Sequence, residues 1–250
     1  MDTARMKTRL PADWIVAAVA GNPAKLLPNG HILLPPARMS FFNGVTKSKD
    51  KVENGQVKAG KYGTGILFPF GFDVAPTHLA AASQARKDKI RSSYSDNPEG
   101  AGFDSPFKDQ AVRVKPAEGG INKTGKSYEG FVPGLVFMEP RANNRPALSE
   151  FINGVPTAAV GSDEELAKRF YSGMWAMCTV SVFKSTSTEN PNVFFGLEAV
   201  LKIADDNVFG GTGGGQAPDY ANVGVNITAP VDPAALFNAG GSAGGAAALM

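Results

Sequence analysis

The chain holds one cysteine and two histidines in 250 residues, has no apolar run long enough to cross a bilayer, and carries no basic residue after Lys202. Each shortage excludes something. A single thiol, Cys178, cannot build a disulfide framework. His31 and His78, 47 positions apart, leave too few soft ligands for structural zinc and argue against a histidine-based catalytic pair. A spanning helix needs about 20 consecutive apolar residues, so no helical membrane segment is expected. Arg5, Lys7 and Arg9 before Trp14, Ile15 and Val16 imitate a secretory leader with small residues at Ala18 to Ala20. The apolar stretch is short and follows Pro11 and Asp13, so a cytosolic location is expected, with which one free thiol agrees.

What the chain does have is glycine and proline, 29 and 18 residues, which points to β structure and turns. It also has a lopsided charge. Residues 1–128 contain 19 Lys or Arg against 11 Asp or Glu, and residues 129–250 contain 6 against 12. A field of one sign raises the encounter rate with the opposite one, so the first half is suited to an anionic partner. Solvated lysine-rich loops would give the same count.

Period and punctuation give the organisation. Residues 37–45 alternate Met39, Phe41 and Val45 with Arg38, Ser40 and Phe42, a half-buried strand ending near Asn43 and Gly44. A loop with Lys47, Lys49, Lys51, Lys58 and Lys61 leads to a second strand over 62–68, with Tyr62, Thr64, Ile66 and Phe68 on one side. Together they read as a basic hairpin. A helix is expected over 76–91, with Pro76 near its first turn and Thr77 as a cap. A long irregular stretch over 92–126 follows, then a bent strand within 131–139. Ser162 and Glu165 have capping-box spacing and start a short helix ending near Phe170.

Two strands close the domain. Over 171–183 one face carries Met174, Ala176, Cys178, Val180 and Val182, and Tyr171 and Trp175 project from the other. Over 193–203 the inward set is Val193, Phe195, Leu197, Ala199, Leu201 and Ile203. The Gly/Ala-rich segment over 211–250 cannot bury a core and is expected to be a flexible tail.

Most chemical motifs fail on inspection. The glycines at Gly210, Gly211 and Gly213 to Gly215 lack the lysine and hydroxyl of a phosphate loop, and those at Gly60, Gly63 and Gly65 sit at a strand start with the wrong spacing for a dinucleotide site. Cys178 falls on a core face, where a thiol is an inert small hydrophobe. Neighbouring acids at Asp163 to Glu165 and at Asp205 and Asp206 fit helix starts and turns. No enzymatic chemistry, cofactor or metal is implied.

What remains is the interleaving of aromatics with cations. Single-stranded nucleic acid needs charges for its phosphates and flat side chains for its unpaired bases. Lys61 with Tyr62, Arg91 with Tyr94, Phe107 with Lys108, and Lys126 with Tyr128 supply both in the basic half. The candidate phosphate contacts are Lys58, Lys61, Lys108, Arg113, Lys123 and Lys126, and the candidate stacking residues are Tyr62, Phe107, Tyr128 and Trp175.

The ordered succession Ala37-Arg38-Met39-Ser40-Phe41, Lys61-Tyr62-Gly63-Thr64-Gly65-Ile66-Leu67-Phe68, Asn144-Arg145-Pro146, Tyr171-Ser172-Gly173-Met174-Trp175-Ala176 and Phe195-Gly196-Leu197-Glu198-Ala199-Val200 resembles a group of bacteriophage single-stranded-DNA-binding proteins. The resemblance implies a mainly β fold, an OB-fold-like five-stranded Greek-key barrel with helical and long-loop insertions. It places an N-terminal extension over 1–34, the binding domain over 35–210 with an insertion at about 76–128, and the tail over 211–250. It implies sequence-tolerant binding and protection of single-stranded DNA in phage replication, recombination or repair, in the cytoplasm of an infected bacterium. Carried onto this chain, its binding positions are Lys61, Tyr62, Tyr171 and Trp175, with Arg145. Replication proteins recruited through the tail, and a homo-oligomer, are further implied partners; the tail here is only mildly acidic. A virion or other structural protein and an RNA binder stay open as alternatives.

Overall fold

The computed structural model describes residues 8–48, 50–53, 56–116 and 123–209. Lys49 and the tail expected over 211–250 lie outside the described residues. Helix α1 (Ala12–Gly21) leads through two short strands, β1 (Lys25–Leu26) and β2 (Ile32–Leu33), to β3 (Ala37–Ser40). The expected basic hairpin is β3 with β7 (Gly65–Gly71), paired antiparallel. Its connection is more elaborate than a loop: β4 (Lys51–Glu53) and β5 (Gln56–Lys58) form a ribbon of their own, and β6 (Tyr62–Gly63) turns aside to another partner.

The helix expected over 76–91 is split at Leu79 into α2 (Ala75–His78) and α3 (Ala80–Ser93). Thr77 lies inside α2 and does not cap it. The N-cap is Val74, and Pro76 occupies the first turn, where a missing N–H costs nothing. Residues 92–126 hold β8 (Lys108–Asp109), a tight turn at Gln110–Val112, β9 (Val114–Pro116) and β10 (Lys123–Ser127). Then come β11 (Leu135–Met138), β12 (Arg141–Ala142), β13 (Ala147–Ile152) and β14 (Val155–Ala158). Asn153 and Gly154, at φ 54° and 79°, make the two-residue turn that joins β13 to β14. Helix α4 (Asp163–Arg169) has the expected capping box, the Glu165 N–H donating to Ser162 Oγ and the Ser162 N–H to Glu165 Oε2. Strands β15 (Trp175–Lys184) and β16 (Val193–Ala204) complete the chain.

The protein is mainly β, as expected, but its sheet stays open. Its order is β14-β13-β16-β15-β3-β7-β11-β8, with β2 adding to β15 and β1 to β2. The expected five-stranded barrel would need its edges to meet. Edge β8 has only two residues, and edge β14 carries Pro156, which has no N–H to give to a ladder. Residues 8–34, set apart as an extension by sequence, are built into the fold: β2 pairs with β15, and Ile15 and Val19 of α1 are fully buried.

Both faces of the sheet are covered, and this decides where each side chain goes. Met174, Ala176, Cys178 and Val180 enter the larger core with Phe68, Phe70, Leu79 and Leu166, and burial there pushes the Cys178 thiol pKa up. Trp175 does leave that face, but it enters a second core with Ile15, Met177 and Leu201, where Trp14 meets it edge-on at 6.0 Å. The inward set expected for β16 does not stay on one side. Its ladder slips between Thr179↔Ala199 and Val180↔Leu197, a bulge that sends Phe195 and Leu197 to one core and Leu201 and Ile203 to the other.

A buried ionic knot ties the ends together. Asp206, with its side chain fully buried, lies 3.7 Å from the Arg38 guanidinium and accepts from Trp175 Nε1 (2.8 Å), the Arg9 N–H (2.8 Å) and Thr8 Oγ1. Arg38 also donates to the carbonyls of Gly173 (3.1 Å) and Asn207 (2.8 Å) and lies 4.1 Å from the Phe209 ring centre. Burial pulls the Arg38 pKa below its ordinary value, and Asp206 opposes that shift. The Tyr-Ser-Gly signature is the hinge of this knot: Ser172 Oγ accepts from the Phe42 N–H, and Gly173, at φ +113°, leaves room for the Asn207 carbonyl, which a Cβ would approach to 2.0 Å.

Removing one partner of a buried ion pair leaves the other uncompensated, so Asp206→Ala is expected to cost about 3–5 kcal/mol of unfolding free energy. Gly173→Ala adds left-handed strain to a backbone clash and is expected to cost at least about 2 kcal/mol. Urea unfolding measures both. A change within about 0.5 kcal/mol, the range of an ordinary surface substitution, would show that the knot does not support the fold.

Candidate nucleic-acid interface

The far ends of β15 and β16 stand clear of the second core. Phe183 and Phe194 face each other across the ladder, 43% and 40% exposed, with ring centres 6.2 Å apart. Such rings, held on a rigid ladder and open to water, are suited to a planar partner. Two other segments come up beside them. The Lys108↔Phe137 pairing brings in residues 104–108, and the β6–β12 ladder, Tyr62↔Ala142 and Gly63↔Arg141, sets Lys61 beside residues 139–145. The three segments enclose an open groove of about 890 Å³.

Five cations line it, Lys61, Lys108, Arg141, Arg145 and Lys184, against three carboxylates, Asp104, Glu139 and Glu198. Two of those carboxylates are engaged within the protein: Glu139 pairs with Arg113, and Glu198 accepts from Ser181 Oγ at 2.6 Å. Lys184 is held in place, its ammonium donating to the Ser93 carbonyl at 3.1 Å and lying 4.5 Å from the Tyr94 ring centre. Arg145 pairs with Asp163 at 2.8 Å, half in water, where an ion pair is weak enough to be exchanged for a phosphate.

The groove has a braced floor. Arg86 on α3 donates to the carbonyls of Val193 (3.2 Å) and Asp104 (3.0 Å) and to Asn192 Oδ1 (2.9 Å). Asn192 in turn donates to the Asp104 carbonyl, and Tyr94 donates to the Asn192 carbonyl. Burial lowers the Arg86 pKa, although the side chain is satisfied by three acceptors. This network fixes the loop carrying Lys108 against the start of β16, just before Phe194.

The residues expected from sequence divide into those the fold gathers and those it does not. Lys61, Lys108 and Arg145 line the groove. Tyr62 lies beside it through its pairing with Ala142, with Lys47 5.5 Å from its ring centre, and Arg113 reaches its rim by pairing with Glu139. Phe107 is half-buried against Phe195, at 5.7 Å. Lys58 belongs to β5 and Lys123 and Lys126 to β10; their side chains lie outside what the structure describes. Tyr128 packs elsewhere, against Phe41 and Phe131.

Two positions move to structural roles. Tyr171 donates to Asp205 at 2.8 Å and supports the buried knot. Trp175, expected to stack a base, has no exposed surface, because α1 covers that end of its strand face. The same face is open at the other end, where Phe183 sits. Sequence reading passed over Phe183, Phe194, Arg141 and Lys184. Alternation put Phe183 on the Trp175 face, and exposure at its end depends on where α1 stops.

No protein-family model and no curated protein sequence matches the chain. Its fold matches that of the single-stranded DNA-binding protein from bacteriophage Enc34. The structure of that protein in complex with ssDNA superposes with a TM-score of 0.54 at 19% identity, covering 76% of this chain and 94% of the phage chain. A second structure of the Enc34 protein gives 0.53 at 18% identity, covering 79% and 93%. The likeness runs over nearly the whole phage protein, so the two share an architecture and not only a motif.

Arg86→Met removes three hydrogen bonds beneath the groove while keeping the apolar stem. The expected cost is on the order of 1–3 kcal/mol. Amide exchange should accelerate over 104–108 and 192–194 more than in α4, which lies apart from the network. Uniform acceleration, or none, would show that Arg86 does not brace the groove.

Proposed function

We propose that this protein binds single-stranded DNA without sequence preference, laying the strand in the groove between the β15–β16 end and residues 104–108 and 139–145. The observation that carries this reading is the pair of exposed rings, Phe183 and Phe194, set in one groove with five cations. Lys61, Lys108, Arg141, Arg145 and Lys184 neutralise phosphates, and the two rings stack bases, a contact worth about 1–3 kcal/mol per base. Stacking tolerates any base, since each has a π-face, and so gives affinity without a code. Tyr62 and Arg113 extend the contact at the rim. The shared architecture with a phage protein named for binding single-stranded DNA supports the same reading.

In this proposal the work is the covering of exposed single strands during phage DNA replication, recombination or repair, in the cytoplasm of the infected cell. Protein partners engaged through residues 211–250 belong to the same proposal.

The test is a titration with oligo-dT and with a duplex of equal length at about 50 and 200 mM salt. Log affinity should fall against log salt by about 0.7 per phosphate contact, so four contacts give roughly a 50-fold loss. Phe183→Ala and Phe194→Ala should each weaken binding by about 1–3 kcal/mol. In a Trp14→Phe variant the remaining emission, from buried Trp175, should show no stacking quench although the strand is bound. Equal affinity for duplex, or wild-type binding by the double Phe variant, would defeat the proposal.

A further inference from the structure

Phe41 stands out on the described surface. It follows β3 with φ 47°, in the left-handed region that bulky side chains rarely adopt, and it is 44% exposed. Such a conformation strains a residue with a bulky side chain, and a glycine would avoid the strain. The ring covers little core of its own. It stands edge-on to Tyr128, with centres 4.9 Å apart and planes at 85°, and tilts against Phe131 at 6.0 Å.

The surroundings suit an anionic chain with flat groups. Tyr128 follows directly on β10, whose partner strand β9 carries exposed Lys115, and Arg113 stands just before β9. The patch also connects to the groove. Arg113, just before β9, pairs with groove-lining Glu139. On the other side Asn43 donates to the Gly63 carbonyl, and Gly63 pairs with groove-lining Arg141.

We infer that Phe41 and Tyr128 form a second stacking station for the same single strand, beyond the groove and past Arg113. This rests on the proposed function and lengthens its site: the strand runs from Phe183 and Phe194, over the Glu139 and Arg113 rim, to Phe41. One such domain covers roughly 4–16 nucleotides, enough chain to pass from the groove over its rim. Short oligomers fill the groove alone; longer ones reach Phe41.

The experiment compares affinities for a series of oligo-dT lengths, from about 4 to about 16 nucleotides, in wild type, Phe41→Gly, Phe41→Trp and the Phe183→Ala, Phe194→Ala pair. Phe41→Gly removes the ring and the backbone strain together, so thermal unfolding near the wild-type midpoint confirms that it folds. The expected result is an unchanged affinity for the short oligomers and a loss of about 5- to 150-fold for the long ones, restored by Phe41→Trp. The groove pair should weaken binding at every length. Wild-type affinity of Phe41→Gly at all lengths, with the groove pair weakened, overturns the second station and leaves the groove standing. Loss at all lengths in Phe41→Gly also overturns it, because the ring would then belong to the groove. Binding by neither wild type nor variants would overturn the functional reading itself.

Discussion

The contact between Arg38 and Asp206 is the constraint on which the rest of the architecture depends. A buried guanidinium and a buried carboxylate are each costly, and each is tolerable here because the other neutralises it and carbonyls and N–H groups take up the remaining valences. The groups supplying those valences come from four places in the chain: residues 8 and 9, β3, the entry to β15 and the exit from β16. Displacing β3 or the exit from β16 leaves a charge unpaired in the core, and displacing either of the others strips the pair of hydrogen bonds. The knot therefore fixes where β15 and β16 start and stop, and so how far their other ends project.

That projection separates a buried tryptophan from exposed phenylalanines on one face of one strand. At the knot end, Trp175 is held by Asp206 beneath and by Trp14 above. By Ser181 the cover has ended, and two residues on Phe183 meets water. The bulge opposite Thr179 and Val180 adds to the effect, since it lets β16 serve the core under α3 with one half and the core under α1 with the other.

Much of this was legible in the residues. The capping box at Ser162 and Glu165, the hairpin of β3 with β7 and the core face of β15 follow from local rules, because caps and alternation are properties of neighbours in sequence. Lys61 and Lys108 are legible from their type and their place beside aromatics, and Arg145 from the family resemblance, and the fold gathers all three. What sequence could not show is set by distant contacts. Trp175 is covered by a helix more than 150 residues upstream. Nothing local reveals that β6 leaves its hairpin to pair with β12, the step that sets Lys61 beside Arg141. The open sheet has the same origin: whether edges meet depends on which strands end up there, and here one is very short and the other contains Pro156.

Charge alone does not explain the groove. The whole chain carries a formal net charge of only +2, so no strong overall field draws an anion. What matters is local arithmetic on a scale shorter than the roughly 8–10 Å screening length of physiological salt. Within the groove, Arg113 neutralises Glu139 and Asp163 neutralises Arg145, which leaves Lys61, Lys108, Arg141 and Lys184 against Asp104 and Glu198, a local excess of positive charge. A phosphate entering there meets that local excess and not the average of the protein. Rings beside those cations then give the bases somewhere to go once the backbone is held, and a duplex, whose bases are already stacked on each other, can use only half of the arrangement.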